Sequence, residues 1–305
     1  MKPRIAIALS TAISMFSLVG AGEAQKAETC KSTVVGTLET FTLTSKVFKN
    51  QRAVRVWLPP GFDRAAKHPV LYILDGASAF DACTAFRHEE LSADETLTSL
   101  IQARKIPPVI AVGIDNGSDV GGNIDQGAGR ASEFLPYATA YFPLPFTPRG
   151  ASFPAFLEND VMPAIAKRYA VQPGPDGAAI WGASYGGVAA IHTIVERPEL
   201  FSAAIVESPS VEVGNGQLLR DTQSLLRAPK RIAIGVGTTE ETGLDADAIN
   251  AGIVKAVRQL AGNFSAAISP ADVRLTVADK GTHDTPAFGR RLADALTFIY
   301  AAREK

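Results

Sequence analysis

The sequence predicts an α/β protein whose central sheet is mostly parallel, with helices on both faces and an antiparallel leading edge. Short apolar runs alternate with helix-compatible segments, which is the element order of a parallel sheet covered on both sides. Two of these runs, residues 69–74 and 108–114, are apolar throughout, as expected of strands buried on both faces. No crossover helix separates the first two predicted strands, so these two should pair antiparallel.

The composition favours an ordinary globular domain. Of 305 residues, 46% are hydrophobic and 20% are charged, which leaves ample material for one large core. The formal net charge of −1 gives no electrostatic reason to expect nucleic acid or an anionic membrane surface as a partner. We therefore expect a single α/β domain over residues 25–305.

The N-terminus has the three-part pattern of a secretory signal. Lys2 and Arg4 precede an apolar run over residues 5–19, and small residues follow it. Residues 1–24 are accordingly predicted to be a signal peptide, and the mature protein to be exported to the periplasm or secreted, without stable membrane insertion. The alternative is an uncleaved membrane anchor, which the serines and threonines within the run disfavour.

The sequence contains two cysteines, Cys30 and Cys83, and the predicted export decides whether they can form a disulfide. In an oxidising compartment they can form a disulfide, and closing a loop of that length is worth on the order of 4 kcal/mol in the chain-entropy picture. Two unpaired buried thiols are the alternative, and the sequence does not decide between them.

Apolar periodicity and turn residues place the individual elements. A long stretch over residues 115–151, rich in Gly, Pro, Asp and aromatics, has no clear periodicity and is predicted to be a loop that faces the substrate. The predicted strands cover residues 34–43, 53–58, 69–74, 108–114, 178–183, 203–206, 231–236 and 273–277, and the predicted helices cover residues 91–103, 153–169, 218–226, 246–260 and 285–302, with one more helix after residue 184.

The sequence AAIWGASYGG over residues 178–187 predicts a strand, a very sharp turn and a helix, with Ser184 at the apex. Gly182 and Gly186 leave room around the turn because they lack side chains. A serine there stands clear of the sheet, and the following helix directs the positive end of its dipole toward it. The G-x-S-x-G pattern alone is weak, but the turn cluster before it and the helical spacing after it support a nucleophile at Ser184.

A serine nucleophile needs a base, and the sequence offers four histidines. His283, in the segment KGTHD, follows the last predicted strand and precedes the last helix, where this architecture places its base. His68 precedes a strand and so lies at the wrong end of the sheet. His192 should point away from the site, and no second feature supports His88.

An acid is needed to orient the base, and it should lie between Ser184 and His283 in the chain. Glu240 follows the strand over residues 231–236 and is the favoured choice. Its neighbour Glu241 and the earlier strand-end residue Glu207 are the alternatives.

Two backbone amides are candidates for the oxyanion hole. The N–H of Tyr185, directly after the nucleophile, is one. The N–H of Ala77, in the loop after the strand over residues 69–74, is the second, since Gly76 lets the backbone turn toward the site. The alternative is that Asp75-Gly76 is only a turn.

At these residues the chain resembles the esterase branch of the α/β-hydrolases that includes enterobactin-type siderophore esterases and esterase D-like proteins. The segments that carry the resemblance are VWLPPGF, VLYILDG, IPPVIAVGIDN, RASEFLP, IWGASYGG, IVESPS, GVGTTE and GTHD. The resemblance implies Ser184 as nucleophile, Glu240 as acid, His283 as base, and the amides of Ala77 and Tyr185 as the oxyanion hole. It requires no metal or organic cofactor.

The resemblance also bears on substrate contacts. Arg130 matches a family feature near the site and is expected either to meet a polar or anionic substrate group or to form an ion pair with Glu133. Tyr185 stands where formylglutathione hydrolases and mycolyltransferases have Met, which disfavours both activities. Aromatic side chains of the long loop should line an acyl or aryl pocket or form the loop's own core: Phe134, Tyr137, Tyr141, Phe142 and Phe146.

The sequence therefore predicts an exported serine carboxylesterase acting on a small-molecule ester. Two alternatives are an acyltransferase that passes the acyl group to a sugar or lipid alcohol, and a binding protein that keeps the fold without turnover. The sequence does not identify the ester or the oligomeric state.

Overall fold

A computed structural model of the chain describes residues 30–117, 127–139, 146–225 and 227–300. The chain divides into two units, Met1–Lys31 and Ser32–Lys305. The signal peptide predicted over residues 1–24 lies outside the described residues, and its boundary with the domain predicted over residues 25–305 stays a prediction. Cys30 and Cys83 are both disulfide-bonded, so the alternative of two unpaired thiols is wrong.

Eight strands within the described residues form one sheet, in the order β1-β2-β4-β3-β5-β6-β7-β8. β2 pairs antiparallel with both β1 and β4, and every other neighbouring pair is parallel, which confirms the predicted fold class. The strands are β1 (Thr37–Thr44), β2 (Gln51–Leu58), β3 (Val70–Leu74), β4 (Ile110–Ile114), β5 (Ala178–Ala183), β6 (Ala203–Glu207), β7 (Arg231–Thr239) and β8 (Val273–Thr282).

Hydrophobic layers cover both faces of the sheet because the central strands are apolar at every position. In β3, Tyr72 packs into one layer and Ile73 into the other, as alternate residues of a strand must. The first layer includes α3, α5, α6 and α7, and the second includes α1 and α8. The helices are α1 (Ala93–Gln102), α2 (Ala128–Phe134), α3 (Phe153–Phe156), α4 (Met162–Ala166), α5 (Tyr185–Glu196), α6 (Val213–Asp221), α7 (Ala246–Ala267) and α8 (Thr285–Tyr300).

The prediction of a long loop over residues 115–151 is partly wrong, because this stretch contains α2. This helix is only two turns long and begins after Gly127, whose φ of 84° marks a left-handed residue. Its buried apolar residues are Ala131 and Phe134, too few to reveal a helix from sequence. Residues 118–126 and 140–145 of the loop lie outside the described residues, including Tyr141 and Phe142.

Three other helices differ from their predictions, and one of them, α7, extends to Ala267 instead of ending at residue 260. The helix predicted over residues 153–169 is interrupted by a π-helical segment, Leu157–Val161, between α3 and α4. α6 was expected to begin at residue 218, but it begins at Val213 and contains three left-handed residues over positions 214–216. Gly214 and Gly216 interrupt the apolar periodicity, so the sequence does not indicate a helix at these positions. None of the described helices is long and apolar enough to cross a membrane.

Candidate active site

Ser184 occupies the sharp turn between β5 and α5 in a strained backbone conformation. Its φ of 55° and ψ of −123° lie outside the regions that L-residues favour. The turn is so tight that a Cβ at Gly182 would lie 2.2 Å from the carbonyl oxygen of Gly186. Only glycine fits at position 182, and the half-buried Ser184 side chain sits at the N-terminus of α5.

Glu240 and His283 form a direct hydrogen bond. Nδ1 of His283 lies 2.6 Å from Oε2 of Glu240, and the Glu240 side chain is only 1% exposed, against 36% for His283. The other carboxylate oxygen, Oε1, accepts hydrogen bonds from the Ser208 hydroxyl at 2.6 Å and from the Gly237 N–H. Phe288 packs edge-on against the imidazole, with 5.5 Å between ring centroids. These contacts fix the Glu240 carboxylate and the His283 ring in their positions.

A bulge between β7 and β8 brings this pair to the end of the sheet. The regular register ends at Gly237 and Ala278 and resumes with Thr239 opposite Thr282, so β8 contributes the extra residues. The two backbones touch at the bulge, since a Cβ at Gly237 would lie 2.0 Å from the Gly281 carbonyl oxygen. Glycine at both positions lets Glu240 and His283 follow directly on the two strands.

The loop after β6 joins the serine to the acid–base pair. The Ser184 N–H donates to the Glu207 carbonyl oxygen at 3.0 Å, and Ser184 Oγ lies 3.5 Å from Ser210 Oγ. Ser208, between them, donates to Glu240. The structure thus brings Glu240 and His283 into direct contact and attaches Ser184 to the same loop. Among the described residues, the Ser184 hydroxyl contacts Ser210 and forms no hydrogen bond with the His283 ring.

The two alternative acids occupy other environments. Glu207 is buried and forms an ion pair with Arg291 at 2.6 Å. Burial raises the pKa of the Glu207 carboxyl, and Arg291 opposes that shift. Glu241 is exposed, and its backbone N–H donates to Asn250. Of the three candidates, Glu240 alone is hydrogen-bonded to His283.

The Glu207–Arg291 pair requires a glycine on the neighbouring strand. A Cβ at Gly235 would lie 2.1 Å from Oε2 of Glu207, which Arg291 holds in place. Gly235→Ala should therefore displace a buried ion pair and lower the free energy of unfolding by roughly 3 kcal/mol, measured by urea denaturation. Gly252→Ala, in α7 with open space around it, is the control and should stabilise by about 0.5–1 kcal/mol. Equal effects of the two substitutions would contradict the steric argument.

The candidate oxyanion-hole residues lie on two tight turns. Ala77 belongs to a single 3-10 turn, Gly76–Ser78, directly after β3, and Tyr185 is the first residue of α5. Amides in the first turn of a helix have no partner within that helix. Gly76 packs on the backbone of β4, where its Cβ would lie 2.4 Å from the Gly113 carbonyl carbon. Asp75-Gly76 is thus more than a surface turn, because it fixes Ala77 against the sheet.

Arg130 does not pair with Glu133, so that expectation is wrong. Its guanidinium forms two hydrogen bonds of 2.8 Å to the Asp75 carboxylate, and it lies over the Tyr185 ring at 5.5 Å from the centroid. Glu133 instead forms a buried ion pair with Arg52 at 2.7 Å. Arg130 therefore connects the turn after β3 to the first residue of α5.

The remaining histidines have structural surroundings. Both ring nitrogens of His68 contact backbone carbonyl oxygens, those of Pro108 and Asp63. His88 lies on the surface with Nδ1 3.0 Å from a carbonyl oxygen. His192 is buried in α5 beside the Tyr137 ring, and burial lowers its pKa. Of the aromatics expected to line a pocket, Phe134 belongs to the main core and the Tyr137 hydroxyl bonds to Asp221.

Sequence reasoning missed the residues that support the site: Ser208, Ser210, Asp75, Arg291 and Glu212. The carboxyl of Glu212 interacts electrostatically with both Tyr185 and His283. The segment IVESPS, quoted above as part of the family resemblance, contains Ser208 and Ser210, and its position after a strand end was the available signal. Within the described part of the chain, the acids placed to hold a metal ion are Glu90, Asp94 and Glu95, outside this site.

The chain matches a known protein family. Residues 45–299 match the family model described as Putative esterase. The uncharacterized protein YbbA of Bacillus subtilis is 23% identical over 254 residues, which cover 82% of this chain and 92% of YbbA. The siderophore triacetylfusarinine C esterase of Aspergillus fumigatus is 28% identical over 163 residues, 53% of this chain and only 51% of that enzyme.

Solved structures share the fold. The crystal structure of the BES protein from Bacillus cereus superposes with a TM-score of 0.68 at 19% identity, over 90% of this chain and 99% of that one. At this level of identity the likeness concerns the fold alone.

Proposed function

The chain belongs to the Putative esterase family and is a carboxylic ester hydrolase, and we propose that it cleaves its substrate through an acyl-enzyme formed on Ser184. The observation that carries the proposal is the 2.6 Å hydrogen bond between His283 and Glu240, together with a serine in a strained turn that contacts the same loop as Glu240. The loop after β6 contacts both Ser184 and Glu240. Strained serines and buried carboxylate–histidine pairs rarely have a structural reason to lie together.

In this mechanism His283 is the base. Glu240 accepts a hydrogen bond from Nδ1–H, which leaves Nε2 as the atom that takes the Ser184 proton. Because Ser184 Oγ lies 3.5 Å from Ser210 Oγ, the hydroxyl must turn toward Nε2 for the proton to be transferred. Such bonds are often long before substrate binds and tighten in the complex.

The carbonyl oxygen of the ester gains negative charge as Ser184 Oγ bonds to the carbonyl carbon. We assign the N–H groups of Ala77 and Tyr185 to this oxyanion, with the dipole of α5 adding to the stabilisation. Collapse of the tetrahedral intermediate breaks the carbon–oxygen bond to the alcohol, which leaves with the proton held by His283. Water, deprotonated by the same imidazole, then releases the acid and restores Ser184.

The substrate class we propose is a siderophore ester. The supporting observation is the 28% identity to the triacetylfusarinine C esterase, although the chain spans about half the length of that enzyme. Arg130 is not assigned to the substrate here, because Asp75 accepts two of its N–H groups. We also propose that the protein is exported, on the basis of the signal pattern at residues 1–24.

A fluorophosphonate probe tests the nucleophile. The probe should label the protein once, and mass spectrometry of the digested adduct should locate it on the peptide that contains Ser184. A panel of short p-nitrophenyl esters, feruloyl sugars, a trilactone siderophore and triacetylfusarinine C then compares kcat/KM, with the siderophores expected to be the best substrates. An adduct on another residue, or no labelling of folded protein, would refute the mechanism, and greater turnover upon addition of an alcohol would indicate acyl transfer instead of hydrolysis.

A further inference from the structure

We propose that Glu90, Asp94 and Glu95 bind a calcium ion that fastens the start of the domain to α1. One carboxylate oxygen from each residue lies within 4.8 Å of the other two. Asp94 and Glu95 lie in the first turn of α1, and Glu90 lies just before that helix. None of the three residues belongs to the proposed active site, and the proposal does not depend on the ester hydrolase mechanism.

The carboxylates of this cluster lack the partners that buried acids have elsewhere in the protein. Asp94 is 0% exposed, and no donor among the described residues reaches its Oδ1. Its carboxyl lies against that of Glu95, to which it can bond only by sharing a proton or a cation. Oε2 of Glu90 and Oε2 of Glu95 are also buried and unpartnered. Among the described residues, no ion pair involves Glu90, Asp94 or Glu95.

Other buried acids show the contrast. Glu133 is paired with Arg52, and Glu207 with Arg291. Asp160 has no cation but accepts three hydrogen bonds on one oxygen, from Ser45 Oγ and two backbone N–H groups. Asp94 accepts one such bond, from the Val35 N–H at 2.6 Å on Oδ2. Three carboxylates with buried free oxygens repel each other and cost desolvation energy unless a cation or shared protons compensate.

The chemistry of the donors favours calcium. The three free donors are carboxylate oxygens, which select hard cations over zinc or copper. Oxygens within 4.8 Å of one another would all reach one ion at the 2.3–2.6 Å typical of calcium after side-chain shifts of a few tenths of an ångström. Magnesium retains its waters more strongly and is less suited to a buried set of oxygens. Two positive charges would balance most of the three negative ones.

The position of the site indicates what the ion would do. Val35, just before β1, donates to Asp94, and the hydroxyl of Thr33 interacts with Glu90. A calcium ion held by Glu90, Asp94 and Glu95 would therefore fasten this first segment onto α1. Binding should stabilise the native state, because the ion has no comparable site in the unfolded chain.

The test uses the purified protein, which is freed of metal with a chelator and then titrated with CaCl2. Isothermal titration calorimetry should detect one site, and the Tm should rise by about 5 °C at calcium one hundred times its Kd. Asp94→Asn and, separately, Glu95→Gln should weaken binding at least tenfold. Asp247→Asn is the matched control, because Asp247 is an exposed acid in the first turn of α7 and its loss should leave calcium binding unchanged.

Several results would overturn the proposal. One is that the metal-free wild-type protein shows neither heat of calcium binding nor a change in Tm upon addition of CaCl2. This measurement does not depend on any variant folding. Asp94→Asn would raise the Tm equally with and without CaCl2, as expected if only protons are shared. Asp247→Asn would weaken calcium binding as much as Asp94→Asn, as expected of non-specific association.

Discussion

Replacing Ser184 with alanine is expected to lower kcat on the best ester by about 10⁵- to 10⁶-fold while leaving the protein folded. The reason is that the proposed acyl-enzyme cannot form without Oγ, and the residual rate then comes from the oxyanion amides of Ala77 and Tyr185 acting on bound substrate. Initial rates at saturating substrate measure the effect, and the same variant should no longer react with the fluorophosphonate probe.

The controls for Ser184→Ala address folding and strain. Ser224→Ala, at an exposed serine far along the chain, should keep full activity. Ser184→Gly should be as inactive as the alanine variant but more stable, because glycine accepts a φ of 55° that costs other residues on the order of 1–3 kcal/mol. A Ser184→Ala protein with more than about one hundredth of wild-type kcat would contradict the covalent mechanism.

Glu240→Gln is expected to reduce kcat about 10⁴-fold. The substitution keeps the size of the side chain, but a neutral amide no longer stabilises the imidazolium that forms on His283. The amide also allows the wrong tautomer of the ring, with the proton on Nε2 where the base must be free. The Ser208 hydroxyl and the Gly237 N–H, which donate to Oε1, can still bond to the amide oxygen.

Glu241→Gln is the matched control for this experiment. Glu241 is the next residue, carries the same charge and is exposed, so its replacement should change kcat less than about twofold. A comparable loss in both variants, or in Glu241→Gln alone, would mean that Glu240 is not the acid. Thermal unfolding of both variants should accompany the kinetics, because Glu240 is buried and its contacts also connect β7 to the loop after β6.

The sequence was sufficient for the fold class because local patterns specify it. Continuous apolar runs identified the central strands, and the absence of a helix between β1 and β2 predicted their antiparallel pairing. The turn at Ser184 was also predictable, since glycines at positions 182 and 186 are what a left-handed serine turn needs. These features depend on neighbours in the chain.

The supporting contacts were not predictable because they join distant residues. Nothing local indicates that Arg130 would choose Asp75 over its helical neighbour Glu133, which is instead held by Arg52 on β2. The short helix α2 was missed for a related reason, because two apolar residues do not make a pattern. Likewise, the hydrogen bond that Asp94 accepts comes from the backbone N–H of Val35, some sixty positions earlier in the chain.

The loop after β6 has a consequence for engineering this protein. The carbonyl of Glu207 and the hydroxyls of Ser208 and Ser210 contact Ser184 and Glu240 within four consecutive positions. Mutant libraries aimed at new ester preferences should leave these positions constant, since most replacements there would disturb the acid and the nucleophile together and yield few active clones.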